Sequence, residues 1–204
     1  MLVDRINQVA RKLPAWPVYI VSGLWAAYLF YLGLTGGLGV EPINALEREY
    51  GEVALKLLIV GLAITPLRKH LGLNLLKFRR AVGLSAFFFV VAHFGVWALL
   101  DVQSVDRVVA DVLKRPYVTI GLAAMLLLIP LAITSNNLSI RKLGPTWRKL
   151  HLLTYPAVAL GALHYIWLAK GFQIEPLIYA VVVGILLFLR RRSPKPQRRQ
   201  PASL

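Results

Sequence analysis

The chain is predicted to be an all-α integral membrane protein, a bundle of six transmembrane helices with both termini in the cytoplasm. Hydrophobic residues make up 57% of its 204 positions and the mean hydropathy is +0.62, far above a soluble domain of this length. The apolar residues gather into six windows, each near the roughly 20 residues that cross a bilayer core at 1.5 Å per residue. Cations fall unevenly between the windows: alternate connections and the two ends hold 18 of the 24, and the opposite side holds five, Arg48, Arg107, Lys114, Arg115 and Lys170. By the positive-inside rule the richer side faces the cytoplasm, and both ends lie on it only if the number of spans is even.

The first window, residues 18–34, follows Arg5, Arg11 and Lys12 and is not closely followed by a small-residue cleavage site, so it predicts a retained helix and not a removed signal peptide. The second, 53–67, is short, with Pro66 at its end and Lys56 near its start, where the lysine stem reaches toward headgroups. The third, 81–100, carries His93, and the fourth, 117–134, carries Pro130. The fifth, 150–169, carries His151 at its start and holds Pro156 and His164; the sixth, 176–189, is again short. Short windows suit a tilted helix in thinned bilayer or one lying partly at the interface. Prolines inside such helices are tolerated where neighbours satisfy the freed carbonyls. Residues 1–190 read as one domain, and 191–204 as a basic, disordered tail that touches anionic lipid.

A net charge of +15 would suggest nucleic acid in a soluble protein. Its confinement to alternate connections points to the lipid bilayer instead, with no nucleic-acid partner. Zero cysteines remove disulfides, thiolate metal ligands, iron–sulfur clusters and covalent c-type haem in one stroke. No phosphate loop or dinucleotide fingerprint is present, and no Ser, His and Asp spacing reads as a triad.

Histidine carries the remaining chemistry. His93 and His164 each lie six or seven residues from the same end of their windows, a shared depth of about 10 Å. Two imidazoles level with one another on different helices form the arrangement that clamps a b-type haem through both axial positions. Phe87, Phe88, Phe89, Phe94, Trp97, Tyr165 and Trp167 are near enough in sequence to pack a macrocycle, although aromatics at helical spacing also serve as core or interface belt. The other reading is that each histidine hydrogen-bonds to a carbonyl or hydroxyl of the next helix. His151 stands 13 residues before His164, roughly 20 Å along the axis and turned about 140° away on an ideal helix. It is a candidate ligand for a second haem near the inner face. The position that should partner it on the third window holds Arg79 and Arg80, which cannot ligate iron but pair well with haem propionates. His70, in the cationic connection after the second window, would partner His151 only if that loop folded inward; a solvent-exposed loop histidine is the simpler reading.

The stretch LGPTWRKLHLLTYPAVALGALHYIW, with Trp147, Leu150, His151, Tyr155, His164, Tyr165 and Trp167 in this order, resembles the fifth-helix region of the ferric reductase-like transmembrane family. The likeness extends over nearly the whole chain, through the basic amino terminus, the histidine of the third window and the ITSN turn at 133–136. Within the family it is similar to haem-binding membrane subunits of bacterial periplasmic methionine sulfoxide reductase systems. The resemblance implies electron transfer across the inner membrane, from the quinol pool or a cytosolic flavin reductase, through haem b. The acceptor it implies is a periplasmic molybdopterin-dependent methionine sulfoxide reductase that repairs oxidised proteins. Relatives with two histidines on each of two helices ligate two haems, one above the other; with Arg79 and Arg80 at the inner position, one haem is expected here and a second remains open. FMN is retained as a further candidate cofactor. The sulfoxide-reducing site is not expected in this chain, and with about 15 residues after the last window the electron is expected from a separate donor.

Two other classes use the same residues. A metal-ion (ferric) reductase would differ only in the acceptor of its haem electrons. A proton channel or transporter would relay protons through His93 and His164, but the sequence offers no intramembrane Asp or Glu beside them and no inverted repeat.

Overall fold

The structure is a computed structural model that describes residues 2–168 and 173–191. Lys170 and the basic tail from 192 onward lie outside the described residues. Among the described residues ten α-helices follow in order: α1 (Leu2–Lys12), α2 (Pro17–Leu34), α3 (Pro42–Leu71), α4 (Arg79–Gly95), α5 (Val105–Lys114), α6 (Pro116–Ile133), α7 (Asn137–Leu143), α8 (Pro145–Leu150), α9 (Thr154–Leu168) and α10 (Ile174–Arg191). No strand occurs among the described residues, in keeping with the all-α expectation.

Local chemistry sets several boundaries. Pro17, Pro42, Pro116 and Pro145 sit in the first turns of α2, α3, α6 and α8, where a missing N–H costs nothing and the fixed φ is already helical. Gly72 closes α3 in the left-handed region at φ 71°, a conformation cheap only for glycine. Asn136 caps α7 by accepting from the Ser139 amide at 2.8 Å. Beyond Gly95, residues Val96–Val102 continue α4 as a π-helical stretch that ends on Gln103 at φ 59°.

Four helical segments among the described residues are long and apolar enough to cross a membrane: Pro17–Leu34, Pro42–Leu71, Leu76–Val102 and Pro116–Ile133. The fifth and sixth windows became α9, with 15 described residues, and α10, whose 18 residues include Glu175, Arg190 and Arg191. Hydropathy underestimated α3 most. It runs for 30 residues, about 45 Å, because the polar segment before Val53 and the cationic one after Leu67 continue the helix that the apolar window began. The connection at 101–116, between the third and fourth windows, also holds a helix, α5, whose Val105, Val109 and Leu113 are exposed along one face.

The core lies where α3, α4, α6 and α9 converge, around Leu62, Ala86, Ala157 and Val158, all fully buried. Small residues at 86 and 157 let the helix backbones approach closely. α2 packs on α3 and α4 and is tied in by the buried Tyr50 hydroxyl, which donates to the Ala26 carbonyl at 2.8 Å. Pro66 lies inside α3 and cannot donate to the Leu62 carbonyl one turn earlier. Arg190 of α10 fills that vacancy with two bonds to Leu62 O, at 3.0 and 2.8 Å, and adds bonds to the Tyr155 and Thr65 hydroxyls.

Candidate haem site

Helix packing brings His93 and His164 together. Their ring centres are 6.1 Å apart with planes crossed at 76°, inside a cavity between α3, α4, α6 and α9. His93 Nδ1 lies 2.8 Å from the Glu47 carbonyl of α3, and His164 Nδ1 lies 2.8 Å from the Tyr117 carbonyl of α6. A carbonyl can only accept, so each ring carries its proton on Nδ1 and a neutral imidazole leaves Nε2 with a bare lone pair. Metal-bound histidines are held by this type of second bond, which fixes ring orientation and raises basicity.

The residues fit a haem. An imidazole nitrogen binds a transition metal at about 2.0–2.1 Å, which puts the centres of two rings sharing one ion roughly 6 Å apart; the observed separation is 6.1 Å. No three His, Cys, Asp or Glu side chains converge to hold a bare ion among the described residues; a porphyrin brings four nitrogen ligands of its own and asks the protein for two at most. The cavity wall is mostly apolar and carries small side chains at Gly51, Ala54, Gly121, Ala124 and Gly161, but Glu47, Arg48 and Glu52 also line it, so carboxylates do stand beside the histidines, contrary to the sequence expectation, because α3 extends past its apolar window.

The second cavity, of about 510 Å³, opens at the opposite, cation-rich end of the bundle and is lined by Lys77, Arg79, Arg80, Trp147 and His151. His151 is placed differently from the other two histidines. Its ring stacks on Trp147 with centres 3.9 Å apart, and its Nε2 lies 3.1 Å from the Thr134 hydroxyl. That hydroxyl gives its own hydrogen to the Pro130 carbonyl at 2.6 Å, so it accepts from His151, whose proton therefore sits on Nε2. Arg80 donates to the Asn137 side chain at 2.8 Å. Arg79 and Arg80 thus share a cavity with His151 and not with the His93 and His164 pair. His70 is exposed in the last turn of α3 and lines neither cavity.

Sequence reasoning missed Arg48, counted only as a topology charge, and the two carbonyls, Glu47 O and Tyr117 O, that orient the imidazoles. A backbone carbonyl has no residue-type signal, and its partner lies 46 or 47 positions away. It also missed Arg190, although an arginine near the end of an apolar helix, opposite a proline in another, is a readable hint.

The fold and the site define an all-helical protein that has, among its described residues, four helices long and apolar enough to cross a membrane and a paired-histidine cavity between its helices. The family described as ferric reductase like transmembrane component matches residues 50–162, and the chain belongs to that family. Curated relatives are named Protein-methionine-sulfoxide reductase heme-binding subunit MsrQ. The Brucella anthropi protein is 43% identical over 189 residues, covering 92% of this chain and 86% of the relative. Those of Brucella ovis and Brucella canis are 43% identical over 188 residues, with the same shares covered. The family match encloses Gly51, His93, Gly121 and His151, while His164 lies just past its end. No solved structure matches the chain.

Proposed function

We propose that this chain is the haem b-carrying membrane subunit of a methionine sulfoxide reductase system, passing electrons across the bacterial inner membrane to a periplasmic molybdopterin-dependent reductase. The observation that carries the reading is the pair of imidazoles of His93 and His164, each bonded through Nδ1 to a helix carbonyl and with ring centres 6.1 Å apart, in a chain whose relatives are named as heme-binding subunits of that system. The proposed topology has six spans, with α9 and α10 as the last two and both termini cytoplasmic, from the cation tally of 18 against five. Residues 1–190 are the membrane domain and the basic tail is an anchor for anionic lipid.

Bound haem supplies a one-electron carrier that cycles between ferric and ferrous iron. The chain supplies the rest. His93 and His164 would hold the group through Nε2, each kept in one tautomer by Glu47 O and Tyr117 O. Arg48 is the cation at the same cavity and would pair with a carboxylate of the bound group. The mostly apolar wall lowers the local dielectric, which strengthens the charge interactions within it. Electrons enter from quinol or a cytosolic flavin reductase at the second cavity, where Arg79 and Arg80 stand beside His151 and FMN is the candidate second cofactor. A second haem there would require His151 to give up its Nε2 bond to Thr134.

The test is the oxidised and dithionite-reduced visible spectrum of detergent-purified chain, with a pyridine haemochrome assay. A b-type spectrum that His93→Ala and His164→Ala each abolish supports the reading. Full haem retention in both variants, or a colourless protein after haem is supplied, overturns it.

A further inference from the structure

The two histidine bonds are built alike on two different helices. Glu47 accepts from His93, and Gly51 lies one turn further along α3; Tyr117 accepts from His164, and Gly121 lies one turn further along α6. In a helix the side chain of a residue covers the turn before its own Cα. A side chain at 51 or 121 would therefore stand over the carbonyl that the imidazole uses. A Cβ at Gly51 would meet His93 Nδ1 at 3.0 Å and Cε1 at 3.2 Å, and one at Gly121 would meet His164 Nδ1 at 2.8 Å and Cε1 at 2.9 Å. Other helical glycines are unlike these: Gly23, Gly83, Gly95 and Gly184 have nothing within 4 Å of an added Cβ, and Gly61 and Gly161 have only ordinary contacts at 3.7 and 3.9 Å. Glycine inside a helix costs roughly 1 kcal/mol relative to alanine, so each of these two notches sits where the backbone itself would favour a methyl.

We propose that Gly51 and Gly121 are positioning residues for the axial imidazoles: each opens a notch in which the ring lies against the helix, donates Nδ1–H to the carbonyl one turn earlier, and points Nε2 into the shared cavity. The inference deepens the haem reading and rests on it. The rings have little freedom to compensate, because the contact is to the imidazole edge itself and not to the tip of a flexible side chain. Two independent notches also set the angle between the rings, crossed at 76°.

The experiment compares Gly51→Ala, Gly121→Ala and, as control, Gly184→Ala in the full chain in detergent, supplied with haem. Haem affinity is measured by titration and pyridine haemochrome, ligand geometry by low-temperature electron paramagnetic resonance of the ferric form, and folding by far-ultraviolet circular dichroism. We expect about a 10- to 100-fold loss of haem affinity in each notch variant, the scale seen when groups that orient metal ligands are disturbed. The residual low-spin signal should shift as the crossed ring planes move, while helix content stays that of the parent and Gly184→Ala matches the parent in all three. Parent-like affinity and signal in both notch variants would overturn the proposal while leaving the haem reading intact. A parent chain that takes up no haem would overturn both. If Gly121→Ala loses its helix content, Gly51→Ala, with the milder 3.0 Å approach, decides alone.

Discussion

Arg190→Met is expected to loosen the bundle at its cation-rich end, and the size of the effect follows from Pro66. The methionine keeps most of the side-chain length and removes the guanidinium that bonds Leu62 O at 3.0 and 2.8 Å, Tyr155 OH at 3.0 Å and Thr65 Oγ1 at 3.1 Å. Leu62 is fully buried, so water does not replace the lost donor at its carbonyl. An orphaned buried carbonyl costs about 1–3 kcal/mol, and the hydroxyl bonds bring the total to about 3 kcal/mol. For a chain of this size that corresponds to a fall in Tm of roughly 6–12 °C, read by circular dichroism during heating in mild detergent. The decisive comparison is a double-mutant cycle. Pro66→Ala restores an amide that bonds Leu62 O within α3, so Arg190→Met should cost about 1–2 kcal/mol less in that background. Additive effects, to within about 0.5 kcal/mol, would refute the idea that Arg190 answers the vacancy left by the proline.

Further outcomes follow from the other placements. His151→Ala should leave haem bound between His93 and His164, because His151 lines the opposite cavity and spends Nε2 on Thr134; loss of all haem in the pyridine haemochrome assay would contradict that separation. Gly72→Ala should lower stability by about 1 kcal/mol, since the α3 cap sits at φ 71° and an added Cβ meets Val3 at 3.6 Å; unchanged thermal unfolding would refute it. Asn7→Ala should release α1 from Gly72 O and the Asn74 amide, bonded at 3.0 and 2.8 Å, seen as faster amide exchange confined to α1.

Much of this protein is local in origin, and that part was legible. Runs of apolar residues bounded by cations dictate helices that cross a bilayer, because an unpaired backbone group in hydrocarbon is too costly for any other conformation. Prolines at first turns, Gly72 and Asn136 set helix ends by chemistry that acts over three or four residues. The depths of His93 and His164 are likewise a matter of counting residues from a window's end, and the histidine motif pointed to the family. Hydropathy failed where a helix outlives its apolar stretch: the charged ends of α3 and the amphipathic α5 have helical backbones without a continuous apolar run.

What the tertiary structure decided depends on which helix faces which. Counting residues cannot tell which carbonyl an imidazole will find 46 or 47 positions away, so neither the tautomer of each histidine nor the notches at Gly51 and Gly121 could be read beforehand. Nor could it sort the cations, since Arg48 and Arg79 look alike as sequence and line opposite cavities. His151 and His164 share one apolar window, yet the break at residues 151–153 and the stacking on Trp147 turn His151 toward Thr134. Depth is a property of one helix, whereas direction is fixed only when a neighbouring helix supplies the partner, and that is why the pair was foreseeable and its geometry was not.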